Sequence, residues 1–159
     1  MQDDEVLAAL GASMGRRFLG VGSVGGLGLT LLYLALVQSP SFGWQVFMVG
    51  FGVTSIWLAE RMWRATGQWL VLTHEGLSDN TGRMIAPIDQ IRSVERGVFA
   101  FKPSNGFTIR LESKAPAAWQ PGLWWRAGRS VGVGGVTSST PAKFMAEQIH
   151  DLITSRAQT

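Results

Sequence analysis

Residues 18–59 are 42 consecutive positions without Asp, Glu, Lys, Arg or His. A helix needs about 20 apolar residues to cross a bilayer core, so the run is long enough to cross twice. Gln38, Ser39, Pro40, Ser41 and Gly43 break it near its middle with polar and helix-terminating residues. The pattern predicts two transmembrane helices, 18–37 and 44–59, the second continuing for a further turn to Trp63. From residue 68 the period changes. Trp69, Val71 and Thr73 alternate with Leu70 and Leu72, as on a strand that stops at the His74, Glu75, Gly76 turn. Residues 77–79 and 83–86 flank Asn80, Thr81 and Gly82 as a hairpin, and Ile88, Ile91 and Val94 continue the apolar series. A second hairpin, 99–102 with 107–112, is expected about 103–106, with Phe107, Ile109 and Leu111 on one face. The last element is helical: Thr140 as cap, Pro141 in the first turn, and an apolar stripe through Ala142, Met145, Ala146, Ile149, Leu152 and Ile153 to about Arg156.

The fold class is therefore a two-helix membrane hairpin plus an α+β domain, an antiparallel sheet or partly open barrel closed by a C-terminal amphipathic helix. It divides as 1–17, 18–63 and 68–159. In the first segment Asp3, Asp4 and Glu5 precede Val6, Leu7, Leu10 and Met14, spaced as on one helix face. Two readings stand: an interfacial helix lying on the membrane, or an extension of the first span. The acidic start, the length of the apolar run and the lack of an A-x-A-like site argue against a signal peptide, so the first helix is expected to stay as an anchor.

Charge gives the orientation. Arg16 and Arg17 flank the first helix, Arg61 and Arg64 the second, and the connecting loop has neither Lys nor Arg. By the positive-inside rule both ends are cytoplasmic, with Phe42 and Trp44 at the outer interface and Trp63 and Trp69 at the inner one. The tail carries ten Lys and Arg against seven Asp and Glu, far from the dense basic stripe of a nucleic-acid binder, so no nucleic-acid partner is expected. The chain has no cysteine, which excludes disulfides, thiolate metal sites and cysteine nucleophiles and suits a reducing compartment.

Two motif matches fail on context. Gly11, Ser13 and Gly15 fit a nucleophile elbow but have no α/β sheet before them. Gly20, Gly22 and Gly25 fit a dinucleotide fingerprint, yet Arg16 and Arg17 stand where its strand should be and no acidic residue follows until Glu60. These glycines are better read as packing. Gly22 and Gly26 form a G-x-x-x-G step that lets another helix approach the backbone closely, and the second helix offers Gly50, Gly52, Thr54, Ser55 and Ala59. Packing within the hairpin is the favoured use, because a short loop already makes the helices neighbours; a partner protein is the other.

The sequence VLTHEGLSDNTGRMIAPIDQIRSV, residues 71–94, resembles the opening of bacterial pleckstrin-homology-like (PH-like) domains in its strand, E-G-L turn, second strand, Gly, Ile-Pro and I-x-x-V order. Two transmembrane helices before such a domain recur among small bacterial inner-membrane proteins. Ile88 stands where an aromatic commonly follows the proline, and residues 114–130 fit the pattern poorly. The resemblance implies a binding or scaffolding module and carries over no catalytic residue.

That ill-fitting stretch is also the most unusual. Trp119, Trp124 and Trp125 lie among Pro121, Gly122, Arg126 and Arg129. Three indoles so close together are core, membrane contact or protein interface. The proline, glycine and arginines favour a protruding contact loop, so Trp119, Trp124, Trp125, Arg126 and Arg129 are the interface candidates. The glycines after it lack the lysine and Ser/Thr of a phosphate loop. His74 and His150 have no metal-like neighbours, and Glu75, Asp79 and Asp89 are scattered about turns, so neither catalysis, cofactor nor metal is expected. The expected function is a membrane-anchored accessory, scaffold or assembly protein of a larger inner-membrane complex, binding other subunits or itself. The alternative is an anionic-lipid binder using Arg92, Arg96, Arg126 and Arg129.

Overall fold

The computed structural model describes residues 5–96 and 106–158. Its elements in chain order are strand β1 (Ala8–Gly11), helices α1 (Met14–Val37) and α2 (Phe42–Ala65), strands β2 (Trp69–Leu72), β3 (Gly76–Asp79) and β4 (Met84–Pro87), a 3-10 turn (Ile88–Gln90), strands β5 (Ile91–Glu95), β6 (Phe107–Gln120) and β7 (Trp124–Val133), and helix α3 (Ser139–Arg156). The expected strand at 99–102 lies outside the described residues.

Both long helices are apolar enough to cross a membrane, and few of their residues are buried. Each runs 24 residues, or about 36 Å at 1.5 Å per residue, which exceeds a hydrocarbon core of about 30 Å and leaves roughly a turn for the interface. Ser39, with φ +41, and Pro40 end the first helix and let the chain reverse.

The strands form two antiparallel meanders, β1-β2-β3-β4 and β5-β6-β7. Helix α3 packs on β1, β5 and β6, so one apolar core lies between the two sheets and this helix. Alternation decides what enters it. Leu70 and Leu72 point inward from β2 while Trp69 is half exposed, and Phe107, Ile109 and Leu111 are buried from β6, as their spacing requires. Met145, Ala146 and Ile149 supply the inner face of α3. No ladder joins β4 to β7 among the described residues, so the strands do not close into a barrel.

Two expectations need correction. Residues 8–11 are a strand rather than part of a helix: Ala8 and Leu10 point into the core, Ala9 points out, and the strand pairs antiparallel with β2 from Ala8 opposite Leu72 to Gly11 opposite Trp69. Four residues of weak helical spacing gain more by burying Leu10 and completing the sheet than by lying on a surface. The sheet therefore draws on both sides of the hairpin, with residues 8–11 supplied from before it. The second correction is the Trp-rich stretch, which is not a loop but the end of the β6–β7 hairpin. Pro121 and Gly122, with φ +80, occupy the middle of a tight turn closed by Leu123 N–H donating to Gln120 O at 3.1 Å, the arrangement of a type II turn. Pro116 is tolerated in β6 because it falls where the register shifts, between Ala115 and Ala118, and beyond the reach of β5.

Candidate functional site

The hairpin is inserted between two adjacent strands, so its two ends meet the sheet at one place. Chain enters α1 two residues after β1 and leaves α2 three residues before β2. Ser13 N–H donates to Val136 O at 2.8 Å, and Ala12 bridges Thr137. On the other side of this seam Val136 N–H donates to Gly122 O at 3.0 Å, and Gly134 N–H to Leu123 O at 2.8 Å. These bonds tie the start of α1, the segment after β7 and the β6–β7 turn together. Gly135 has φ +127, and a Cβ there would stand 2.6 Å from Gly122 O, so only glycine permits the approach.

Arg17 holds the hairpin ends. Its guanidinium lies 3.9 Å from the centroid of the Trp63 ring, and Nη2 donates to Trp63 O at 2.8 Å. Phe18 meets the same indole edge to face at 5.3 Å. A cation over an indole, bonded to a last-turn carbonyl of α2, is stabilised by the ring quadrupole and by the negative end of the helix. In the sequence Arg17 is only a flanking charge; its opposition to Trp63 depends on the helix register, which spacing alone does not reveal. Arg16 reaches the sheet instead, with Nη2 donating to Gly135 O at 3.3 Å.

The sequence-selected glycines are placed otherwise than expected. Gly22, Gly26 and Gly50 are exposed, and a Cβ on any of them would meet nothing within 4 Å. The helices cross at Gly28 and Gly52: a Cβ on Gly28 would stand 2.8 Å from Gly52 O, and one on Gly52 3.1 Å from Gly28 O. Packing within the hairpin therefore uses Gly28, Ala35, Gly52, Ser55 and Ala59. The readable signal was the seven-residue step from Gly28 to Ala35 and from Gly52 to Ala59, the period of a left-handed helix pair, rather than the four-residue step of Gly22 to Gly26.

The interface candidates divide. Trp124 is fully buried in the core, and Trp125 is partly buried, its ring lying where a side chain on Gly132 would be. Neither fits a protruding loop, because the turn at Pro121 folds this end of the hairpin back onto core and helices. Arg126 is committed internally: Nε donates to Pro116 O at 2.8 Å and Nη1 to Ile85 O at 2.8 Å. It thus joins β7 to β4 across the gap that no ladder closes. Trp119 is half exposed and Arg129 is exposed. His74, in the β2–β3 turn, and His150, on α3, are both exposed, and among the described residues no three His, Asp or Glu side chains gather as a metal site.

Compared with known protein families, with curated proteins and with solved structures, the chain finds no match.

Proposed function

We infer that the protein is a non-enzymatic accessory, scaffold or assembly subunit of a larger bacterial inner-membrane complex, anchored by its hairpin and carrying a PH-like domain in the cytoplasm. One observation carries the reading: the G-x-x-x-G face of α1, Gly22 and Gly26, points away from α2 and is open to another helix. Thr30 extends that face by one further turn, with its hydroxyl turned back on Gly26 O at 2.8 Å. The PH-like part of the reading is supported by the order of a four-stranded meander, a three-stranded meander and a closing helix. The cytoplasmic placement is supported by the pairing of β1 with β2, which keeps both hairpin ends together beside Arg16, Arg17, Arg61 and Arg64.

The experiment is extraction at native levels in mild detergent, followed by size analysis and identification of co-purifying proteins. The wild-type chain should run in an assembly larger than itself, and Gly22→Leu with Gly26→Leu should release it. A monomer without companions would overturn the reading. The anionic-lipid alternative loses two of its four cations, because Arg126 binds backbone carbonyls and Arg96 pairs with Glu147 at 2.9 Å.

A further inference from the structure

We propose that the tip of the β6–β7 hairpin is a membrane-surface contact, with Trp119 lying in the lipid headgroup layer, so that the sheet rests against the bilayer. The proposal rests on the membrane reading of α1 and α2 and adds a contact which that reading does not require.

The position of the tip is set by its neighbours. A Cβ on Gly122 would stand 3.1 Å from both Met62 Cε and Thr66 Cγ2, side chains on the last turn of α2 and its cap. Met62 is three residues past Ala59, the end of the uncharged run, or about 4.5 Å along the helix. The headgroup layer on each side of the hydrocarbon is roughly 5–8 Å deep, so Gly122 touches α2 within it. On the other helix a Cβ on Gly20, inside the uncharged run, would stand 3.2 Å from Val136 Cγ1. The sheet therefore has no stalk beneath it.

Trp119 is three residues from Gly122, at most about 11 Å of extended chain, and is 52% exposed. It pairs across the hairpin with Trp125, and the two border a shallow hollow completed by Ala117, Ala118, Ala127 and Arg126, whose guanidinium is bound to backbone carbonyls. The occupant is lipid because the turn that carries this surface touches α2 just beyond the end of its uncharged run. Trp63, on the last turn of α2, and Trp69, four residues beyond that helix, are also exposed near the ends of the hairpin. An indole pairs an apolar body with one N–H donor, and such rings favour the depth where hydrocarbon meets headgroups. The contact is aromatic rather than cationic, which separates it from binding through surface arginines.

The test uses the full chain in nanodiscs of phosphatidylcholine and phosphatidylglycerol. Because the chain has no cysteine, one introduced thiol takes a nitroxide label uniquely. Ala117→Cys and Ala127→Cys report the hollow while keeping Trp119, Lys114→Cys serves as the aqueous reference, and Leu29→Cys as the lipid reference. Collision with a water-soluble nickel chelate should be several-fold lower at 117 and 127 than at 114, with oxygen collision shifted toward the Leu29→Cys value. Adding Trp119→Ser should return position 117 to the aqueous level. Nickel collision at 117 and 127 equal to that at 114 would overturn the proposal while leaving the anchored hairpin intact. Exclusion of both nickel and oxygen would also overturn it, by showing protein over the hollow. Free nickel access at Leu29→Cys would instead show that α1 is not in lipid, and the membrane reading would fall together with the proposal.

Discussion

Single residues here separate into those that hold the fold and those that face outward, and substitutions distinguish them. Trp124 is buried, so Trp124→Ser should destabilise the sheet by about 3–5 kcal/mol, a large part of the roughly 5–15 kcal/mol that stabilises a typical domain. Trp119→Ser should lower the melting temperature far less, because half of its surface is already exposed and it lies outside the buried core. A thermal melt of both variants, followed by near-ultraviolet circular dichroism, checks the pair. Arg126→Met keeps the stem but removes the donors to Ile85 O and Pro116 O. It should cost about 1–3 kcal/mol through the carbonyls left unbonded, and the same melt reads it. In the membrane the contrast is Gly28→Leu against Gly22→Leu. The first drives a side chain into Gly52 O and Ile56 and should separate the helices, and the second meets open space. Disulfide crosslinking between introduced cysteines on α1 and α2 should fall in the first variant and persist in the second.

Among the elements, what the sequence disclosed followed from strong periods. The 42 uncharged residues located both helices to within a few positions, and Leu70, Leu72, Phe107, Ile109 and Leu111 disclosed the inward faces of two strands. The rest depended on partners distant in sequence. Residues 8–11 carry too few side chains to establish a period of two, and only β2, some 60 residues on, makes them a strand. The β6–β7 hairpin was obscured because Pro116, Pro121 and Gly122 read as breakers, although one sits at a register shift and two in a turn. Trp124 read as a contact because linear proximity to Trp119 and Trp125 hides the alternation that sends it inward. From the pairing of β1 with β2 comes a test at this scale. Residues 68–159 alone lack an edge strand and should be poorly folded, with fast amide exchange in β2. Residues 5–11 joined to 69–159 by Asn-Gly, a two-residue turn suited to antiparallel strands, should give a soluble domain with a cooperative melt. Equal stability of the two forms would show that β1 contributes nothing.

At the scale of the whole molecule, one sheet grips both ends of a helical hairpin, so those ends must lie on the same side of the bilayer. Reporters fused after Thr159 and inserted at Ser41 should report opposite compartments, the first cytoplasmic and the second periplasmic under the orientation proposed above. The interrupted sheet also bears on how the chain is made. At about 5–20 residues per second, β1 leaves the ribosome several seconds before β2, and both membrane segments are synthesised in between. A polypeptide that inserts only one of its two helices strands β1 and β2 in different compartments, where no amount of time lets them pair. Its Leu10, Leu70 and Leu72 then stay uncovered, a flag that quality-control proteases read in unfolded chains. Correct insertion is thus a precondition of folding, and the finished sheet is a receipt for it.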